Sequence, residues 1–257
     1  MNPSFPYAAF FDLDGTLAIE NGPPAPEDVA AIRAFRRAGN FVFLCTGRSP
    51  GYLYPAVLDI GFDGIVAGAG AYVRYGDRLL YRNSISHETL VPILRRFEKT
   101  DHTLVMETER SMIQLTASPD AMRVRDYPCI TSARQWPERY ADETVTKLTI
   151  YRAPMAPELR ILLEREQGLD VIEHSYYYEA VPRGCCKSDG MRRVLEVIGV
   201  PRENTIAFGD SPNDRDMIAY AGLGVVMGDG DPTVQAIADR ITLPLTQCGV
   251  AHVLNSL

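Results

Sequence analysis

The sequence predicts an α/β protein: a Rossmann-like, doubly wound, mostly parallel sheet as the core, with an α+β domain inserted into it. Three observations predict this. Strands of the buried type alternate with helical stretches at both ends of the chain, and alternating βα units build a parallel sheet with helices on both faces. The middle follows another order, α-β-β, a loop, then β-α-β-β, which suits a largely antiparallel sheet. Acidic turns follow strands where a doubly wound sheet forms its binding crevice. Residues 1–82 and 184–257 form the expected core, and residues 83–183 the insert.

Each element has a local reason. Tyr7 to Phe11 is apolar and aromatic, as a strand buried on both faces requires, and Asp12-Leu13-Asp14-Gly15 ends it. Pro26, Glu27 and Asp28 open a helix through Ala38; Val29, Ile32 and Phe35 keep helical spacing and Gly39 stops it. Phe41 to Cys45 and Gly64 to Ala67 are strands, with Ser49 and Pro50 between them as an N-cap and first helical residue. Tyr72-Val73 and Leu79 to Tyr81 flank a hairpin turn at Tyr75-Gly76-Asp77-Arg78. In the insert, helices Glu88–Lys99 and Pro157–Gln167 are expected. Strands are expected at Thr103–Glu107, Met112–Thr116, Val145–Tyr151, Leu169–His174 and Tyr177–Val181. The alternation then resumes: helix Lys187–Ile198, strand Thr205–Phe208, helix Pro212–Ala221 capped by Ser211, strand Gly224–Met227, and a helix from Pro232 capped by Asp231.

Composition narrows the function. Of 257 residues, 46 % are apolar and 23 % charged, enough to build a sizeable core. A net charge of −7 argues against a nucleic-acid partner, which requires a basic face. Five cysteines without a C-x-x-C pair read as reduced thiols of a cytoplasmic protein, with Cys185 and Cys186 expected to be buried. The polar stretch Met1 to Pro6 and charge-interrupted apolar runs point to neither a signal peptide nor a membrane span.

Four motifs carry chemistry. Asp12 and Asp14 lie two apart at a strand end, so extended backbone points both carboxylates the same way, where like charges require a cation or a proton between them. Thr46-Gly47-Arg48 ends the second strand with a hydroxyl and an open backbone N–H suited to a phosphoryl oxygen. Asp210 and Asp214, in Gly209-Asp210-Ser211-Pro212-Asn213-Asp214, bring a further acidic cluster to the same edge. Carboxylates converging there call for a hard cation, first of all Mg²⁺. Lys187 lies where the chain re-enters the core, near these acids. In the insert, Arg183 and His174 are placed to reach a second anionic group, and Trp136 to anchor a loop.

Together, in this order, Asp12-x-Asp14-Gly15-Thr16, Thr46-Gly47-Arg48, Lys187 and Gly209-Asp210-x-x-Asn213-Asp214 resemble the haloacid dehalogenase superfamily of phosphotransferases. The large insert resembles the C2 cap of its Cof-type subgroup. The resemblance implies that Asp12 is a nucleophile forming an aspartyl-phosphate and that Asp14 is the general acid and then base. It implies that Thr46, Gly47, Lys187 and Asn213 hold the phosphoryl group or lie close to it. Mg²⁺ would sit on Asp12, the Asp14 carbonyl and Asp210, with Asp214 positioning Lys187 or a metal-bound water. The chain departs from the subgroup at Ala67-Gly68-Ala69-Gly70-Ala71, at Ser188 and at Gly228-Asp229-Gly230. The implied activity is a Mg²⁺-dependent phosphomonoesterase for a small phosphorylated metabolite, a sugar phosphate first, working as a monomer or homodimer. A phosphohexomutase and a non-catalytic binding member are the competing readings.

Overall fold

The computed structural model describes residues 5–116, 124–151, 154–174 and 176–257; Met1 to Ser4 of the polar stretch Met1 to Pro6 lie outside the described residues. The first stretch holds β1 (Ala8–Phe11), α1 (Pro26–Arg37), β2 (Phe41–Cys45), α2 (Pro55–Leu58), β3 (Gly64–Ala67), β4 (Tyr72–Tyr75) and β5 (Arg78–Arg82). The middle adds α3 (His87–Phe97), β6 (Thr103–Thr108), β7 (Met112–Leu115), β8 (Cys129–Ile130), α4 (Gln135–Arg139), β9 (Val145–Tyr151), α5 (Pro157–Ile161), β10 (Leu169–Glu173) and β11 (Tyr177–Pro182). The last stretch holds α6 (Lys187–Ile198), β12 (Thr205–Gly209), α7 (Arg215–Tyr220), β13 (Leu223–Val226), α8 (Pro232–Gln235), β14 (Arg240–Ile241) and α9 (Gly249–Leu254).

Two compact units result, one of residues 1–48, 53–82 and 186–257, the other of residues 49–52 and 83–185. The first contains an eight-stranded sheet ordered β14-β13-β12-β1-β2-β3-β4-β5. It is parallel from β14 through β3, and β4 and β5 add an antiparallel edge. β1 is central. Its Ala9 and Phe11 enter one apolar cluster with α1 and α9, while Ala8 and Phe10 enter the other with α6 and α7. That two-sided burial is why the run Tyr7 to Phe11 shows no polar alternation. β12 lies directly beside β1, with Phe11 opposite Phe208, so the turns after both strands open at one edge.

Ser49 departs from its expected role as an N-cap. Pro50–Tyr52 is a single 3₁₀ turn, and the Ser49 hydroxyl donates to Glu107 Oε2 at 2.8 Å. The Gly51 backbone also lies so close to Ser111 that a Cβ would sit 2.4 Å from its nitrogen. Residues 49–52 therefore group with the second unit. The helix expected from Pro157 continues beyond Ile161 as a π-type turn through Glu166. α2, α4, β8, β14 and α9 were not anticipated, and Trp136 lies in α4 rather than in a loop, because segments of two to six residues carry too little periodicity to register.

The second unit is a six-stranded sheet ordered β10-β11-β9-β6-β7-β8, antiparallel except between β7 and β8. One face packs Leu104, Met106, Leu148 and Ile150 against α3 and the fully buried Trp136. The opposite face carries a buried polar cluster. Lys147 Nζ lies 3.2 Å from Glu107 Oε1 and 2.7 Å from Glu179 Oε1, and Thr149 Oγ1 donates to Glu107 Oε1 at 2.6 Å. Arg183 is engaged by Asp170 and the Glu164 carbonyl, and His174 stacks on Tyr177 beside Glu179. Cys185 and Cys186 are free thiols and only half-buried, contrary to expectation, because they follow the exposed turn at Arg183-Gly184. No helix among the described residues is long and apolar enough to cross a membrane.

The polar cluster gives this unit an acid limit. Burial opposes charge on Glu179, but the Lys147 ammonium, helped by His174, overcomes it and draws the carboxyl from 4.5 down to about 2. A folded value below the unfolded one contributes stability above pH 4.5 that is lost as pH falls toward 2, about 3 kcal/mol in full. The single tryptophan, Trp136, reports this unit alone. Its fluorescence should show acid unfolding of the wild type as pH falls through this window. Glu179→Gln should be less stable at neutral pH and flatter in its pH dependence. Parallel pH curves for the two proteins would refute the assignment.

Candidate active site

The site of the first unit is assembled at the carboxyl edge of β1, β2 and β12. Asp12 follows β1, its N–H donating to the Phe208 carbonyl at 2.9 Å, and its side chain is buried. Lys187 opens α6 and is fully buried; its Nζ donates to Asp12 Oδ1 at 2.6 Å and to Asp214 Oδ1 at 2.5 Å. Asp214, expected to position Lys187 or a metal-bound water, touches Lys187 directly. Asp214 Oδ2 accepts from the N–H groups of Asp210 and Ser211 at 2.9 and 3.1 Å, a capping box that ties the turn to the helix following it. Asp210 Oδ1 accepts from Thr16 Oγ1 at 3.0 Å.

Two glycines allow this convergence. Gly15 has φ of +89°, and a Cβ there would lie 2.3 Å from Asp210 Oδ2. Gly70, at φ +95°, abuts the Cys186 carbonyl so closely that a Cβ would sit 2.1 Å from it. The Gly68-Ala69-Gly70 turn, left-handed throughout, therefore lets the backbone close on the residue before Lys187. This gives a structural role to part of the run Ala67 to Ala71, which sequence reasoning could only mark as a departure.

Oxygens of Asp12, Asp210 and Asp214 lie within 4.8 Å of one another. Three carboxylates face one ammonium, an imbalance with consequences for each group. Burial disfavours the Lys187 ammonium, but Asp12 and Asp214 outweigh burial and hold it charged. Burial, then Asp214, pushes Asp12 well above the carboxylate range, and Lys187 offsets only part of this. The same two causes raise Asp210 to about 7, against the Thr16 hydrogen bond. A hard cation with oxygen ligands fits this donor set and would relieve the excess negative charge.

Thr46 is buried just past the end of β2, the strand that pairs with β1, and its Oγ1 accepts from the Arg48 N–H at 3.1 Å. Gly47 and Asn213 meet: a Cβ on Gly47 would be 3.4 Å from Asn213 Nδ2, while Asn213 Oδ1 accepts from Ser211 Oγ. The Asp14 side chain differs from the simple picture of two carboxylates side by side. It is half-exposed and pairs with Arg48, because Gly15 turns the chain immediately after it. Sequence reading assigned no role to Thr16, Arg48 or Asp216, whose Oδ2 caps the start of α6 by accepting from the Ser188 N–H at 2.6 Å. The signal for Thr16 was its place beside Gly15.

The comparisons agree with this geometry. Residues 9–254 match the family model of the haloacid dehalogenase-like hydrolases. The chain is 38 % identical over 285 residues to phosphatase YwpJ of Bacillus subtilis, covering 96 % of this chain and 98 % of that one. It is 26 % identical over 272 residues to 5-amino-6-(5-phospho-D-ribitylamino)uracil phosphatase YitU of the same organism, covering 97 % of each. Among solved structures, a subclass IIB sugar phosphatase superposes with a TM-score of 0.78 at 24 % identity, over 97 % of this chain and 98 % of that one. The chain belongs to the haloacid dehalogenase-like hydrolases.

Proposed function

We propose that the protein hydrolyses the phosphate monoester of a small polyhydroxylated metabolite, a sugar phosphate or sugar-alcohol phosphate, through a phosphoaspartate at Asp12. The observation that carries this is the buried Asp12 carboxylate, held by the fixed Lys187 ammonium at the open edge of the sheet. The phosphorylated ribityl chain named for the relative YitU supports the substrate class.

In the first half-reaction an Asp12 oxygen attacks phosphorus. The bond to the leaving oxygen breaks with its electron pair, and that oxygen takes a proton from Asp14. In the second, Asp14 accepts a proton from water as the water oxygen attacks phosphorus, the bond to Asp12 breaks, and inorganic phosphate leaves. Thr46 Oγ1 and the Gly47 N–H hold phosphoryl oxygens, with Asn213 beside them, while Lys187 offsets charge on the nucleophile and the phosphoryl group. Asp12, the Asp14 carbonyl and Asp210 would hold Mg²⁺, with Asp214 behind Lys187; bound there, the ion supplies charge neutralisation to the transferring group. Release of phosphate from a panel of sugar, sugar-alcohol, cofactor and nucleotide monoesters, with Mg²⁺ and with chelator, tests the reading. Metal-dependent release favouring polyols is expected, and release indifferent to chelator would count against it.

The raised carboxyls make Mg²⁺ affinity depend on pH. Below about 7 Asp210 retains a proton that the ion must displace, so affinity should climb as pH rises through that value. Titration calorimetry between about pH 6 and 8, in buffers of different ionisation enthalpy, should show proton release on binding. Affinity that is flat over this range would remove Asp210 from the ligand set.

A further inference from the structure

Arg48 completes the turn after β2, and no step above uses it. Its side chain is only 8 % exposed, so its charge requires partners. Nε donates to Asp14 Oδ2 at 2.7 Å and Nη2 to Asp14 Oδ1 at 2.5 Å, a two-pronged grip on the carboxylate. Nη2 also donates to the Glu20 carbonyl at 2.7 Å and Nη1 to Asn21 Oδ1 at 2.6 Å. The Tyr54 ring lies 5.4 Å from the guanidinium, and its hydroxyl donates to the Gly22 carbonyl at 2.9 Å. Glu20 sits in the left-handed region at φ +52°, where a residue with a side chain is held by its surroundings.

The asymmetry of exposure indicates the purpose. Arg48 is buried behind Asp14, whose own side chain is 47 % exposed on its far side. Asp14 precedes the left-handed Gly15 in a loop, and among the described residues the hydrogen bonds to its carboxylate come from Arg48. A protonated carboxyl keeps acceptor capacity on both oxygens, so the grip survives protonation while the O–H points to the open side.

We propose that Arg48 is the positioning residue for Asp14: anchored to Glu20, Asn21 and Tyr54, its guanidinium fixes the direction in which Asp14 hands its proton to the leaving oxygen. This rests on Asp14 as the general acid. The readout is leaving-group release in the first turnover, compared between an alkyl phosphate, whose leaving oxygen requires protonation, and p-nitrophenyl phosphate, whose leaving oxygen does not. Arg48→Lys keeps the charge and loses the planar fork. It should slow the alkyl ester about 10²-fold and the aryl ester only a few-fold, with KM nearly unchanged. Asp14→Asn should show the same selectivity more strongly, and the double variant should be no worse than Asp14→Asn alone. Asn21→Ala loosens Arg48 without touching Asp14 and should shift the ratio in the same direction; it carries the test if Arg48→Lys folds poorly. Equal losses on both esters for Arg48→Lys and Asn21→Ala, with selective loss for Asp14→Asn, would overturn the proposal alone. Equal losses for Asp14→Asn would instead overturn Asp14 as the acid.

Discussion

Asp12→Asn is expected to lower kcat by about 10⁴-fold or more on every ester, good and poor leaving groups alike, because the atom that attacks phosphorus is gone. The variant should fold, and the metal-free protein should gain stability. Burial together with Asp214 and Asp210 makes the Asp12 charge costly even beside Lys187. An amide oxygen can still accept from Lys187 Nζ, so the contact at 2.6 Å survives while one of three converging negative charges is lost. A gain of about 1 kcal/mol is expected, in keeping with active sites that trade stability for chemistry. Mg²⁺ should in turn raise the melting temperature of the variant less than that of the wild type, since one ligand is missing. Turnover that survives in Asp12→Asn would remove the phosphoaspartate. Unchanged metal-free stability would mean that crowding of the carboxylates is already relieved by protonation.

The residues of the site were legible because each lies in a motif of local origin. Asp12 ends a run that can only be a buried strand, and Asp210 and Asp214 stand one helical turn apart just after another. Strand order did the rest: once the sheet is doubly wound, turns after parallel neighbours share an edge. Arg48 and Thr16 were not legible in this way. The partners of Arg48 lie 27 to 34 residues away and that of Thr16 194 residues away, at distances that no periodicity encodes. The polar cluster of the second unit was hidden for a similar reason. Glu107, Lys147 and Glu179 lie on three strands far apart in the chain, and only the pairing of β6, β9 and β11 brings them together. Ser49 was misread because a Ser-Pro pair is an equally good start for a helix or a turn, and a hydrogen bond to Glu107, 58 residues on, decides between them.

Lys187→Met tests the other half of the site and should have the largest effect on stability. Methionine fills much of the volume and removes the only cation that touches Asp12 and Asp214 among the described hydrogen bonds. Two buried carboxylates then face each other with Asp210 nearby, and breaking a buried ion pair from one side costs about 3–5 kcal/mol. The sign with pH follows. With the ammonium gone, Asp12 and Asp210 lose a charge that holds them down and are raised further, so they hold protons in the folded state that they would release on unfolding at neutral pH. The destabilisation should therefore shrink as pH falls and the carboxyls take up protons, which is opposite to the acid sensitivity expected of the second unit. Mg²⁺ should rescue stability more strongly in this variant than in the wild type, because the ion then meets three uncompensated carboxylates. It should not restore turnover, which is expected to fall about 10³-fold for want of a cation on the transferring oxygens. Thermal melts at several pH values, with and without Mg²⁺, separate these outcomes. A Lys187→Met protein as stable as the wild type at neutral pH would mean that Asp12 is already protonated there, and that Lys187 does not set the charge of the site.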